Sequence, residues 1–223
     1  MTPTPTPTST LADIATTHPG AAGVFYRHGL DFCCGGRRSL ADACSARGLD
    51  PVAVIDEVAR EEAVTTANTR WDLEPLPALI TFIVETYHRR LREALPDLVR
   101  MAQKVELRHA DKAACPRGLA DHLAAMHGSV LDHLAKEEQV LFPMILAGQG
   151  RLAVGPVHVM EVEHDEHARN LQVVRRLTGD LQPPEEACAT WRALYLGLQQ
   201  LERELMEHIH LENNVLFSRA LVA

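Results

Sequence analysis

From about residue 75 onward, apolar side chains return every three or four positions in four long stretches, the period that places them on one face of an α-helix. In the second stretch Leu119, Leu123, Met126, Val130, His133, Glu137 and Val140 step by 4, 3, 4, 3, 4 and 3. In the fourth, Leu194, Leu198, Leu201, Leu205, His208, Glu212 and Val215 keep the same phase, as do Val84, His88, Leu91 and Leu95 in the first. Val157, Met160, His164, Leu171 and Val174 form the stripe of the third, with His167 close to it. The pattern predicts helices over about 75–109, 116–147, 156–178 and 184–219. The breaks "CPRG", "AGQGRLAVGP" and "TGDLQPP" are short enough to make neighbouring helices antiparallel. An all-α, up-down-up-down four-helix bundle is expected, with Pro96 kinking or splitting its first helix.

The stretch ahead of the bundle reads differently. Thr/Pro alternation over residues 1–10 offers nothing to bury and predicts a disordered tail. Residues 11–70 carry short helical patterns punctuated by "HPG", "HGLDFCCGG" and "GLDP", as expected of a small helical domain. "NTRWDLEPLP", Asn68 to Pro77, reads as a linker, so the boundary falls near residue 70 and the bundle domain spans 71–223.

Composition narrows the function classes. Of the 223 residues, 46% are apolar and only 4% aromatic, which suits helices better than sheets. A formal charge of -8 argues against a nucleic-acid partner, whose phosphates need a basic surface. No stretch has the roughly 18 to 20 uninterrupted apolar residues of a membrane span, and a basic-then-apolar leader is missing, so a cytoplasmic protein is expected. Five cysteines do not make a secreted disulfide framework, and twelve histidines are many for a chain of this length.

The histidines carry the chemistry. "HLAKEEQVLF" (His133 to Phe142) and "HIHLENNVLF" (His208 to Phe217) share His-x-x-x-Glu-x-x-Val-Leu-Phe, and His88 and His164 precede them by 45 and 44 residues, so the bundle repeats a helix pair. The phase places His88, His133, Glu137, His164, His208 and Glu212 at core positions. An ionised carboxylate in an apolar core costs several kcal/mol. A pair of cations offsets that cost, because His and Glu at i and i+4 share a helix face and carboxylates bridge two metals. Imidazole with carboxylate favours iron over manganese or zinc and leaves coordination positions for a small ligand. His18, His28, His109, His122, His127, His158 and His210 read as solvated or simply packed; His167 is a packed histidine with a substitute ligand as the lesser reading, and Glu163 a solvated helix-face residue with a place on a path to the site as the alternative.

Cys33 and Cys34 are a second candidate site. Arg37 and Arg38 follow them and should favour thiolate, while Gly35 and Gly36 let a partner approach. Adjacent cysteines form only a strained ring, so a structural bridge between them is not expected. Two buried thiols on a helix turn are the alternative, with Cys44 packed nearby and Cys115 and Cys188 structural or incidental.

"GLDFCCGGRRSLADAC", followed by "HLAKEEQVLFP", "GPVHVMEVEHDEH" and "HIHLENNVLF", resembles the iron-sulfur cluster repair di-iron proteins, also called the repair of iron centres family. The resemblance spans residue 11 to the C-terminus. It implies a hemerythrin-like bundle preceded by a small helical domain, with two oxo- or hydroxo-bridged iron ions on His88, His133, Glu137, His164, His208 and Glu212. It also implies a cytoplasmic role in repairing iron-sulfur clusters damaged by oxidative or nitrosative stress by supplying iron. Iron-sulfur proteins would be the clients, nitric oxide or oxygen the small ligands, and a homodimer is a further expectation. Nitric oxide reduction at the di-iron site, and oxygen or nitric oxide sensing, are the alternatives. Oxygen-carrying hemerythrins place a second histidine four residues after the third-helix ligand, where this chain has Ala168, and use a spacing of five where His208 and Glu212 are four apart. A more open coordination sphere, suited to reaction or iron release, would follow.

Overall fold

The computed structural model describes residues 4–64 and 69–222, and among them the chain is all-α, with no strand. Residues 1–3 of the expected tail and Asn68 of the expected linker lie outside the described residues. The helices are α1 (Leu11–Thr17), α2 (Ala21–Arg27), α3 (Leu40–Ser45), α4 (Pro51–Val64), α5 (Leu76–Ile83), α6 (Arg89–Arg108), α7 (Leu119–Lys136), α8 (Phe142–Leu146), α9 (Val154–Thr178), α10 (Ala189–His210) and α11 (Ser218–Ala220). π-Helical turns at Val84–His88, Glu137–Leu141 and Leu211–Phe217 join α5 to α6, α7 to α8 and α10 to α11. No helix among the described residues is long and apolar enough to cross a membrane. The chain packs as two compact units, one of Met1–Thr81, Ile145–Val154 and Met206–Ala223, the other of Phe82–Met144 and Gly155–Leu205.

In the first unit, α1 and α3 begin at residues whose side chains accept a backbone N–H of the first turn: Thr10 from Asp13 and Ser39 from Asp42. Their apolar faces bury Leu11, Ile14, Leu40 and Cys44 against Val24, Phe25, Phe32, Val54 and Val58. Pro7 and Ser9 of the Thr/Pro segment meet the start of α3. The Pro7 and Ser9 carbonyls accept from the N–H groups of Ala41 and Leu40 at 2.8 and 2.9 Å. Those are the first N–H groups of α3, which have no partner inside their own helix, so the segment is held by backbone pairing without burying a side-chain core of its own. Gly36 is needed for close approach: its carbonyl accepts from Ala12 N–H at 2.8 Å, and a Cβ there would lie 2.7 Å from the Phe32 oxygen.

The second unit is the body of the four-helix bundle. Leu91, Leu95, Leu98, Ala102 and Val105 of α6 belong to its core with Leu119, Leu123, Met126 and Val130 of α7, Val157, Met160, Leu171 and Val174 of α9, and Trp191, Leu194, Leu198 and Leu201 of α10. Gly197 lets α10 approach closely, since a Cβ there would meet Leu98 Cδ2 at 2.7 Å. Two further buried carboxylates are neutralised by arginine, Glu202 by Arg175 through two hydrogen bonds at 2.6 and 2.7 Å and Glu204 by Arg90 at 2.6 Å.

The helix is not split at Pro96, which sits inside α6 with buried residues on either side. Departure from α geometry comes earlier, at Val84–His88. Each π-turn holds one residue more than an α-turn and slips the buried stripe by one position. Ile83, not Val84, is therefore buried ahead of His88. After Glu137 it is Leu141, at 1% exposure, that is buried, while Val140 is 50% exposed. In both places the expected stripe was off by this one residue.

Candidate metal centre

Every π-turn carries a residue of the expected ligand set: His88 ends the first, Glu137 opens the second and Glu212 lies in the third. A π-turn widens the helix locally and re-aims side chains, and such turns recur at functional sites. His133, His164 and His208 come from the ordinary helical stretches of α7, α9 and α10. All six side chains are buried, with Glu137 and Glu212 at 0% exposure.

Glu137 Oε2 stands 3.5 Å from Nε2 of His88 and 3.5 Å from Nε2 of His133. His133 Nε2 in turn lies 3.1 Å from His164 Nε2, and His208 Nε2 lies 2.9 Å from Glu212 Oε1. Ligand atoms of His88, Glu137, His208 and Glu212 all fall within 4.8 Å of one another, as do those of His133, Glu137, His164 and Glu212. Both groups include Glu137 and Glu212. The donor set fits cations, because two carboxylates withdrawn from water need positive charge and imidazole nitrogens supply lone pairs to the same point. Imidazole and carboxylate donors on facing helices are compatible with binding iron.

Each group also has a histidine held from behind. His88 Nδ1 is 2.7 Å from Glu138 Oε1, which accepts from Arg92 Nη2 at 2.9 Å. His133 Nδ1 is 2.9 Å from Glu163 Oε2, and Lys136 Nζ pairs with the other Glu163 oxygen. Burial pushes the Glu138 carboxyl up, but the hydrogen bonds from His88 and Arg92 outweigh it and hold it below the ordinary carboxylate range. Glu163, expected on a solvated helix face or, as the alternative, on a path to the site, lies against a histidine of the cluster. Glu138 escaped sequence reasoning altogether, although it is a second acidic residue directly beside a core glutamate.

His167 is buried, its ring perpendicular to that of His133 at 5.0 Å between centroids, yet it belongs to neither ligand group. The other histidines are packed or solvated. His18 and His28 pair with Glu62 and Glu57 at 3.0 and 2.7 Å, His122 meets the Asn170 carbonyl at 3.1 Å, and His109 lies 3.3 Å from Cys188 Sγ. His210 is buried, and that burial lowers its pKa to about 4.

The cysteines lie outside both ligand groups, and all five are free thiols. Asp31 Oδ1 accepts from the Cys34 N–H at 3.0 Å and from Cys33 Sγ at 3.3 Å. Around Cys33 the surroundings work against thiolate: its hydrogen bond with Cys34, burial and the Asp31 charge push this thiol well above its ordinary value. Arg37 and Arg38 are exposed, whereas the carboxylate of Asp31 is at hand. The Cys33 carbonyl accepts from Asn213 Nδ2 at 3.4 Å and Asn214 Nδ2 at 3.3 Å, and the latter also reaches the Phe32 carbonyl at 3.2 Å.

Comparison with known proteins agrees with the fold. The family model "Hemerythrin HHE cation binding domain" matches residues 79–220, and "Domain of Unknown function (DUF542)" matches residues 7–62. The iron-sulfur cluster repair protein YtfE of Yersinia pseudotuberculosis serotype O:1b (strain IP 31758) is 49% identical over 211 residues, covering 95% of this chain and 96% of the relative. Proteins of the same name are 48% identical in Musicola paradisiaca (strain Ech703), over 95% of both chains, and in Yersinia pestis (strain Pestoides F), over 95% of this chain and 96% of the relative. With similarity of this extent running through both regions, the chain belongs to the iron-sulfur cluster repair protein YtfE family, whose C-terminal region is a hemerythrin HHE cation binding domain.

Proposed function

We propose that this protein repairs iron-sulfur clusters damaged by oxidative or nitrosative stress, supplying iron from two ions held by His88, His133, Glu137, His164, His208 and Glu212. The observation that carries the reading is the pair of buried four-residue groups that have Glu137 and Glu212 in common. Shared carboxylates suit two bridged ions rather than one. The name of the relatives supports cluster repair over gas sensing or nitric oxide reduction, and iron-sulfur proteins are then the clients.

Bound iron would supply redox chemistry and a transferable ion. The chain's own residues do the rest: Glu137 and Glu212 balance the cationic charge, four imidazoles give neutral donors that can be protonated and released, and the apolar stripes above and below exclude water. Four histidines and two carboxylates leave coordination positions for small ligands such as nitric oxide or oxygen. Five free thiols are the state kept by a reducing compartment, which supports a cytoplasmic site of action.

The test is to incubate iron-loaded protein with a cluster enzyme inactivated by nitric oxide. Recovery beyond that given by the same amount of free ferrous iron supports the proposal. Recovery equal to the free-iron control overturns it.

A further inference from the structure

We propose that Glu138 and Glu163 are positioning residues of the metal centre, each braced by a cation and each holding one ligand histidine by its Nδ1 so that Nε2 is left to the metal. The inference rests on the metal-binding reading above and extends it to residues outside the ligand set.

The two arrangements are alike in chemistry and separate in origin. Arg92, Glu138 and His88 form one series, and Lys136, Glu163 and His133 form the other. Exposure falls along each series: side chains of Arg92 and Lys136 are 38% and 48% exposed, Glu138 and Glu163 are 30% and 19%, and the two imidazoles are 0% and 2%. Negative charge is thus delivered behind a buried imidazole without leaving a carboxylate unbalanced.

An imidazole whose Nδ1–H donates to a carboxylate has its Nε2 lone pair free for coordination, and the carboxylate makes that lone pair a stronger donor. The geometry meets both conditions. With Nδ1 of His88 and His133 on Glu138 and Glu163, their Nε2 atoms are the ones that lie 3.5 Å from Glu137 Oε2. His88 belongs to one ligand group and His133 to the other, so each group has one histidine fixed in this way.

The internal repeat does not account for it. The position that matches Glu138 in the second "His-x-x-x-Glu" segment is Asn213, which donates to the Cys33 carbonyl instead. Glu163 belongs to α9, outside the repeated segments. The two braces are therefore not copies of one another through the repeat, in which His88 matches His164 and His133 matches His208. Replacing partners of this kind in other metal sites typically weakens metal binding by about 10- to 100-fold.

The experiment titrates ferrous iron, anaerobically, into the full chain and into Glu138→Gln, Glu138→Ala, Glu163→Gln and Glu163→Ala, and follows iron loss to a colorimetric ferrous chelator together with the visible spectrum of the oxidised protein. Glutamine keeps an acceptor oxygen and removes the charge. We expect each Gln variant to lose one of two iron equivalents at least about 10-fold faster, with a shifted spectrum, and each Ala variant to lose it faster still. Arg92→Gln and Lys136→Gln alter exposed side chains, leave folding intact, and should move iron loss in the same direction by less. Their wild-type behaviour, together with wild-type iron loss in the Gln variants, would overturn the inference. A wild-type chain that takes up no iron in the same titration would instead sink the metal-binding reading itself.

Discussion

His133 Nε2 and His164 Nε2 lie 3.1 Å apart in the buried interior of the bundle. At that separation one ring nitrogen can donate to the other, and when both carry lone pairs the two face a point that a cation can share. The proposed centre predicts that stability follows metal content. Iron at about 100 times its dissociation constant stabilises a folded chain by about 2.7 kcal/mol, and for a domain of this size that corresponds to a rise of roughly 5 to 10 °C in melting temperature. Calorimetry with and without a chelator measures it. Glu137→Ala and Glu212→Ala, each removing a carboxylate common to both groups, should abolish the shift and bring iron to well under one equivalent by metal analysis.

Much of this site was legible in the sequence because a bundle core tolerates few polar residues, so His133 and Glu137 announced themselves by falling in phase with Leu123 and Val130. The π-turns were not legible in that way. "Val-Leu-Phe" after each glutamate supplies apolar side chains at three successive positions, and such a run fits an α-turn or a π-turn equally well. Val140 was consequently expected in the core where Leu141 is found. Glu138 and Glu163 were missed or misread for a related reason: a carboxylate beside a ligand looks like part of a solvated face until its distance to the imidazole is known. The pairing of Pro7 and Ser9 with α3 was hidden as well, since it rests on backbone carbonyls that carry no residue-specific signal.

Asn214 is expected to guard Cys33. Its amide reaches the Phe32 and Cys33 carbonyls and His210 Nδ1, and loss of such buried hydrogen bonds costs about 1 to 3 kcal/mol. Asn214→Ala should lower the free energy of unfolding by that amount and speed alkylation of Cys33 by iodoacetamide at pH 8, read by mass spectrometry. In the wild type the raised thiol value should keep Cys33 slower than an unstructured cysteine. Equal rates in wild type and unfolded chain would contradict the burial described.

Gly197 should resist enlargement. Gly197→Leu drives a side chain into the space of Leu98 Cδ2, and overpacking of this kind costs about 1 to 3 kcal/mol. Denaturant unfolding should show the loss, and pairing the change with Leu98→Ala should recover part of it.

Acid should loosen the first unit through Glu57. Its carboxyl is held below the ordinary range by hydrogen bonds from His28 and then Arg27. A depressed folded value means that the stabilisation is complete above the unfolded pKa of about 4.3 and disappears as pH falls through the folded one. Glu57→Gln should remove about 0.5 to 1 kcal/mol at pH 7 and progressively less as the pH is lowered below about 4, as measured by urea unfolding across that range.

Glu212, Asn213 and Asn214 are consecutive in one π-turn, yet the first meets His208 while the next two meet the backbone around Cys33. Neighbours on a helix have little freedom to be replaced independently when their destinations differ. Across related chains these three positions should vary jointly with residues 31–34 or stay fixed, leaving a signature of covariation that alignment alone can detect.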